Sequence, residues 1–454
     1  MRTNVRVRRA LVLTVGCLTL GAAVGDAQAQ AGTTPPETLL RLDDLERMAL
    51  ERNPTLPQAR ASVRAAEGRH RQAGIYPNPL IGYEAEEINT REPGRFKNFF
   101  WFQVPIVTAG KLGKSRDLAA ADRQRAEVNA DIQRLRVVTT VRELYYEALG
   151  SARIVELRQE LAKLTREAVD VSEELFNVGQ ADRPDVLDVE IQAQRAELGL
   201  AKAQSQQARI WRILAATVGN PGMPLAKLAG SLDPLPQLDR EAIMAKVLRE
   251  SPEVRLAQVN VERARAARER VRAERAPNVF VRSKLGYNAE STNGGRDVGF
   301  EAGVEIGVPL PLFDRQQGNL TSAEADVEHA QADVRRLELA LRSQLETALK
   351  SYEDARLEVE RYQREILPRA QQSRELYQKG FQQMAAAYPQ VLIAQRMLSE
   401  ARVEYVRAQV ELWRGATLLE GMLLSGGLEA PFHTSVQLPP ATGHVPIPSG
   451  RATD

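Results

Sequence analysis

Few residues of this chain have types and spacings that could do covalent chemistry. Its four histidines are scattered: His70 and His329 fall in helical stretches, His433 and His444 near the C-terminus. None stands beside a cysteine or a second histidine at metal-ligand spacing. No phosphate-cradling glycine loop, G-x-S-x-G elbow or H-E-x-x-H pair occurs. Carboxylates abound, but at helix-surface spacings beside Lys and Arg, where ion pairing and solvation account for them. No catalytic constellation and no cofactor or metal site emerges, so an enzyme is not expected. What remains is the chemistry of exposed backbone. In "FNVGQADRPDVLD", starting at Phe176, Gly179 can take the left-handed conformation that ends a helix. Asp182 can cap the next helix, and Pro184 suits its first turn. The bare main chain at the glycine lets another molecule approach closely. The stretch reads either as a tight turn that only reverses the chain or as one whose bare backbone also serves docking.

The elements that carry this turn follow from composition. Charged residues are 26% of the 454 and nearly cancel, leaving a formal net charge of +2, which gives no reason to expect nucleic acid. Aromatics are only 5%, while Ala, Gln, Glu, Arg and Leu crowd the sequence, a mixture that favours long helices with narrow seams. Arg2, Arg6, Arg8 and Arg9 precede the apolar run "ALVLTVGCLTLGAAVG", and Ala27-Gln28-Ala29 ends it. This is an export signal over residues 1–29 with cleavage before Gln30. Cys17, the sole cysteine, offers acylation as an alternative, although Thr14 is unusual three residues before it. No later run is long and apolar enough for a spanning helix. The exported chain is therefore periplasmic, secreted or part of an outer-membrane β-barrel.

The chain is an internal duplication. Asn53-Pro54 recurs as Ser251-Pro252, Pro77-Asn78 as Pro277-Asn278, and Val104-Pro105 as Val308-Pro309. Gly179 answers to Gly380 and Trp211 to Trp413, at an offset of roughly 200 residues, far beyond a solenoid period. Two structural repeats, 30–230 and 231–428, share one order: a helix, two strands, two long helices. The tail 429–454, rich in Pro, Gly, Ser and Thr, reads as disordered. Strands are expected at 79–89, 96–107, 278–290 and 297–309. In the last of these, Val298, Phe300, Ala302, Val304, Ile306 and Val308 alternate with glycines and glutamates, the mark of a barrel strand. Phe residues and Trp101 in "FKNFFWFQVPI" are expected to form a lipid-facing band or interfacial girdle. Four strands cannot close a barrel, so several copies must.

Long helices are expected at 112–178, 185–218, 315–379 and 389–424. Val186, Ala193, Leu200, Gln207 and Leu214 repeat every seven residues, with Val189, Ala196, Ala203, Ile210 and Thr217 as the second row of a coiled-coil seam. Val391, Leu398, Tyr405 and Leu412 repeat the device near the C-terminus.

These features together, above all "FNVGQADRPDVLDVEIQAQRAEL", resemble the TolC-type outer-membrane efflux proteins, from about Leu39 to Leu424. "YPNPLIGYEAEE" and "IGVPLPLFDRQQGN" look most like the branch that serves heavy-metal resistance-nodulation-division pumps. The resemblance implies a mostly α protein with four transmembrane strands per protomer. It further implies a homotrimer with a twelve-stranded barrel in the outer membrane and a helical tunnel reaching into the periplasm. Implied partners are a periplasmic adaptor and an inner-membrane resistance-nodulation-division transporter, with the channel as passive duct. Alternatives are a type I protein-secretion or multidrug duct, or a periplasmic coiled-coil adaptor or structural protein.

By the same resemblance, Val178, Gly179, Asp185, Val186 and Leu187 form the periplasmic tip in the first half. Lys379, Gly380, Gln390, Val391 and Leu392 do so in the second. The second tip, "YQKGFQQMAAAYPQVLIAQ", is longer and has Gln390 and Ile393 where gating acids are common. Closure is therefore expected to rest on packing and amide contacts involving Tyr377 and Gln390.

Overall fold

The structure, a computed structural model, describes residues 39–86, 96–291, 295–383, 385 and 387–431. The expected signal peptide, Cys17, the strand end at 87–89 and the tail beyond 431 lie outside them.

Prolines set the first joints. Helix α1 (Leu42–Arg52) stops at Asn53, which the following Pro54 drives to extended backbone (ψ 123°), and α2 (Thr55–Ala73) starts beyond it. Strands β1 (Leu80–Glu86) and β2 (Lys97–Ile106) follow, then helices α3 (Lys111–Asn177) and α4 (Arg183–Val218). The second half repeats the series. Helix α5 (Arg240–Glu250) ends at Ser251 (ψ 121°) ahead of Pro252, and α6 (Pro252–Glu274) continues. Next come β3 (Val279–Ser291), β4 (Asp297–Gly307) and α7 (Gln317–Arg361). The five-residue π-turn Tyr362–Ile366 leads into α8 (Leu367–Gln382), and α9 (Tyr388–Glu420) closes the series.

Two sequence expectations need correction here. Each half opens with two helices rather than one, because the X-Pro dipeptide breaks it. The helix expected over 315–379 is interrupted at the π-turn, where Leu367 N–H donates to Tyr362 O, five residues back. Pro368 has no N–H to offer Arg364, and its ring crowds that carbonyl, so the helix widens locally. Helix α3 has no such break over its 67 residues and extends about 100 Å.

The N-terminal part of α3 packs on α2 and α6, and its C-terminal part packs on α4 and α9. The core is a chain of small clusters along this axis rather than one mass. Leu45 and Ala49 of α1 seal Val137, Val141 and Leu214 between α3 and α4. Likewise Ile243 and Val247 of α5 seal Leu345, Leu349 and Leu412 between α7 and α9. On α4 the heptad rows Val186, Val189, Ala193, Ala196, Ile210, Leu214 and Thr217 are buried. The duplicated tryptophans both clamp the linker between the halves, Trp211 Nε1 donating to Met223 O (3.0 Å) and Trp413 Nε1 to Leu232 O (2.8 Å).

The four strands form one antiparallel sheet in the order β1-β2-β3-β4, so β2 of the first half pairs with β3 of the second. Register aligns Tyr83, Phe100, Leu285 and Ala302 in one row, and Ile81, Phe102, Ser283 and Val304 in the next, on one face. That face is open: Phe100 is 71% and Phe300 83% exposed. The other face carries Glu84, Gln103, Arg282, Lys284, Glu301 and Glu305.

Phe99 and Trp101 belong to this polar face, which corrects their expected place in a lipid-facing band. Phe99 is 2% exposed. Lys284 Nζ lies 4.4 Å from its ring centroid, and the Arg282 guanidinium 4.7 Å from that of Trp101. Both contacts are of cation–π type. Gly82 and Gly286 give these rings room: a Cβ on Gly82 would sit 2.3 Å from Trp101, and one on Gly286 2.5 Å from Phe99.

Candidate functional site

The two hairpin ends, α3–α4 and α8–α9, are built by different means. At the first, α3 ends in a Schellman motif. Gly179, at φ +74°, donates from N–H to Phe176 O (3.0 Å), and Gln180 N–H to Leu175 O (2.8 Å). Asp182 then caps α4 in a capping box, its N–H donating to Asp185 Oδ2 (3.2 Å), with Pro184 in the first turn. Asp185 is thus tied to the cap. Val178 is 68% and Leu187 43% exposed, and the space where a Gly179 side chain would sit is open. Val186, by contrast, faces inward and is fully buried.

The second end lacks this local scaffold. Gly380 lies inside α8, which runs on to Gln382, so the expected equivalence of the two glycines as helix-ending residues fails. The loop is held by Ala385 N–H donating to Gly380 O (2.8 Å) and by side-chain packing. Phe381 and Tyr388 rings meet at 5.1 Å across the loop. Tyr388 also packs against a cluster of Ala168, Val189 and Leu392, which joins this hairpin to α3 and α4. Val391 and Leu392 are buried, whereas Tyr377 and Gln390 are exposed. Sequence reasoning passed over Tyr388 and Phe381. Their signal was an aromatic on each side of a loop otherwise rich in Ala and Gln.

Burial pushes the Tyr388 hydroxyl up, and the nearby Glu167 adds to this. Higher up, a groove of about 900 Å³ runs between α3, α4 and α9. Burial there raises the Glu143 carboxyl, against Arg414, which lowers it, and with Glu147, which raises it further.

At the opposite end of the helices, β1 and β4 are the open edges of a sheet whose one face is apolar and exposed. No helix among the described residues is long and apolar enough to cross a membrane. The sheet is the part suited to lipid, apolar outward and charged inward. Comparison with known proteins fits this geometry. The model of the family "Outer membrane efflux protein" matches residues 45–220 and again 243–419, one match to each half. The chain belongs to this family of outer-membrane efflux proteins. Among relatives of this outer-membrane efflux protein is the cobalt-zinc-cadmium resistance protein CzcC of Cupriavidus metallidurans. It is 28% identical over 406 residues, which cover 87% of this chain and 94% of CzcC. The fold is shared with the outer-membrane protein VceC of Vibrio cholerae (TM-score 0.68, 21% identity, 86% of this chain and 97% of that one). It is also shared with CusC, a protein described in terms of transmembrane channel formation (TM-score 0.70, 17% identity, 85% and 92%). The protein is thus an efflux channel of the outer membrane whose helices extend into the periplasm.

Proposed function

We propose that this chain is the passive outer-membrane duct of a tripartite pump for heavy-metal cations. Three copies supply the barrel, because twelve strands leave a channel where eight would leave a filled interior. A periplasmic adaptor docks on the hairpin ends and links them to a resistance-nodulation-division transporter in the inner membrane. The observation that carries the metal reading is the similarity to CzcC along nearly the whole length of both chains.

Docking falls to the exposed part of the tip: Val178, Gly179 and Leu187, with Asp185 holding their turn. Closure falls to the second hairpin end, held against the first through Tyr388 and Leu392, with Tyr377 and Gln390 on its open side. Deleting the gene in a strain without a redundant channel tests the substrate class. Tolerance to cobalt, zinc and cadmium is expected to fall and to return with the wild-type gene. Unchanged metal tolerance, with loss of dye tolerance or of a secreted protein instead, would assign the duct to multidrug or type I export.

A further inference from the structure

The two halves of one protomer are tied together where the sheet meets the helices. Thr108 Oγ1 donates to Pro277 O (2.6 Å), and Lys111 Nζ donates to Asn278 Oδ1 (2.7 Å) with Glu274 Oε2 3.8 Å away. These bonds run from the β2–α3 junction to the residues just before β3, the strand paired with β2. Duplication gives each half one donor junction and one acceptor dipeptide. The first half's donors meet the second half's acceptors, and this leaves one unused set. Pro77-Asn78, just before β1, is exposed, and so is most of the junction between β4 and α7.

The unused set sits on the two open edges of the sheet, β1 and β4. Closing a barrel from several copies brings β4 of one beside β1 of the next. Since β1 begins at the end of the sheet where β4 finishes, the leftover donor and acceptor segments then meet. The entry into α7 matches the entry into α3: Gln316 (φ 59°, ψ 24°) and Gly110 (φ 66°, ψ 20°) are both left-handed N-caps. The backbone around it is fixed locally, with Gln316 N–H donating to Asp314 Oδ1 and Arg315 N–H to Gln317 Oε1, both at 2.9 Å. Arg315 is the sole cation between β4 and the first turn of α7. Among the described residues, neither its guanidinium nor the Asn78 side-chain amide has a hydrogen-bond or ion-pair partner.

We infer that Arg315 makes the second copy of this tie between protomers, donating to Asn78 Oδ1 and the Pro77 carbonyl of the neighbouring copy. Counted from the shared Val-Pro pairs at Val104-Pro105 and Val308-Pro309, Arg315 is the residue aligned with Lys111. Gly74 stands where the first tie has Glu274, so this tie lacks a carboxylate and is the weaker of the two. The inference rests on closure of the sheet by further copies and is independent of the exported substrate.

The chain has no cysteine beyond Cys17, so paired cysteines report cleanly. Full-length protein carrying Asn78→Cys and Arg315→Cys, in native outer membranes with a short bis-maleimide, is expected to give a covalent ladder ending at three copies. Each single variant should give no ladder. Lys111→Cys with Asn278→Cys should cross-link within one chain. Absence of the ladder while that control pair reacts and native mass shows an intact oligomer would overturn the tie, as would Arg315 serving a lipid headgroup instead. A second reading avoids cross-linking. Asn78→Asp should raise the temperature at which the oligomer dissociates, and should do so only while Arg315 is present. An equal rise in an Arg315→Ala background would also overturn it.

Discussion

The α3–α4 and α8–α9 hairpin ends descend from one duplicated sequence yet hold their shape differently. The first is set by hydrogen bonds within a dozen residues: the Schellman pair at Gly179 and Gln180, then the Asp182–Asp185 box. The second depends on distant partners, through Tyr388 and Leu392 against Ala168 and Val189. A locally determined turn keeps its surface whatever its neighbours do. A turn held by tertiary packing can be released when that packing is lost. The π-turn at Tyr362–Ile366 belongs to the second hairpin as well, while α3 runs unbroken. The duplicated halves have thus diverged into an end fixed by local hydrogen bonds and an end fixed by packing against the other hairpin.

Breaking the locally bonded end should have the largest effect. Val178→Asp combined with Leu187→Asp places charge on the exposed face proposed for docking and should reduce export to the level of the gene deletion. Surface changes of this kind cost within about 0.5 kcal/mol of stability each, so the assembled channel should persist in the membrane. Gly380→Ala is the matching test of the second end. In a helix it should stabilise by about 0.5–1 kcal/mol and leave export intact, which would separate the roles of two glycines that look alike in sequence. Metal tolerance and oligomer mass in the same strains check both.

The next contrast lies in the helices. Pro368→Ala restores a backbone donor and removes a ring from the crowded turn, and should favour regular helix by up to about 3 kcal/mol. Hydrogen exchange should then slow across 362–367 but not in α3. Exchange unchanged in both would mean the π-turn has another cause.

The smallest effect is electrostatic. Glu143 is raised by burial, so the folded state holds its proton more firmly than the unfolded chain does. Its contribution is present at low pH and declines as pH rises through the shifted range. Facing it are Glu147, Arg158, Lys202, Arg209, Arg407, Glu411 and Arg414 around the same groove. Glu143→Gln should flatten that decline in thermal unfolding as pH rises above the ordinary carboxylate range. A profile parallel to wild type would place the titration elsewhere.

Periodicity made much of this architecture legible beforehand. The seven-residue rows of α4 and α9 reflect a buried face, whereas the two-residue alternation of β4 separates an open apolar face from a charged one. Other features turned on contacts between distant segments. Phe99 and Trp101 suit either face of a strand, and Lys284 and Arg282 of the neighbouring strand mark theirs as the charged one. Gly380 looked like a helix end because Gly179 is one, but α8 continues two residues further, to where Tyr388 and Phe381 meet. The heptad rows already marked Val186 and Val391 of the tip as seam residues, whereas the burial of Leu392 was not legible, since a short apolar run gives no sign of which side faces a partner. The Asp182 cap and the turn at Gly179 were readable because their chemistry is local.

Single-channel recording in planar bilayers tests most directly that the second hairpin end shuts this duct. Purified wild-type protein is expected to show discrete but rare and small conductance steps. Tyr388→Ala removes the ring that joins the second hairpin to the first, a loss of about 1–2 kcal/mol by the apolar surface involved. The open fraction should rise by about tenfold or more, with oligomer mass unchanged. Equal conductance and equal open time in the two proteins would contradict closure at Tyr388 and move the constriction elsewhere along the tunnel.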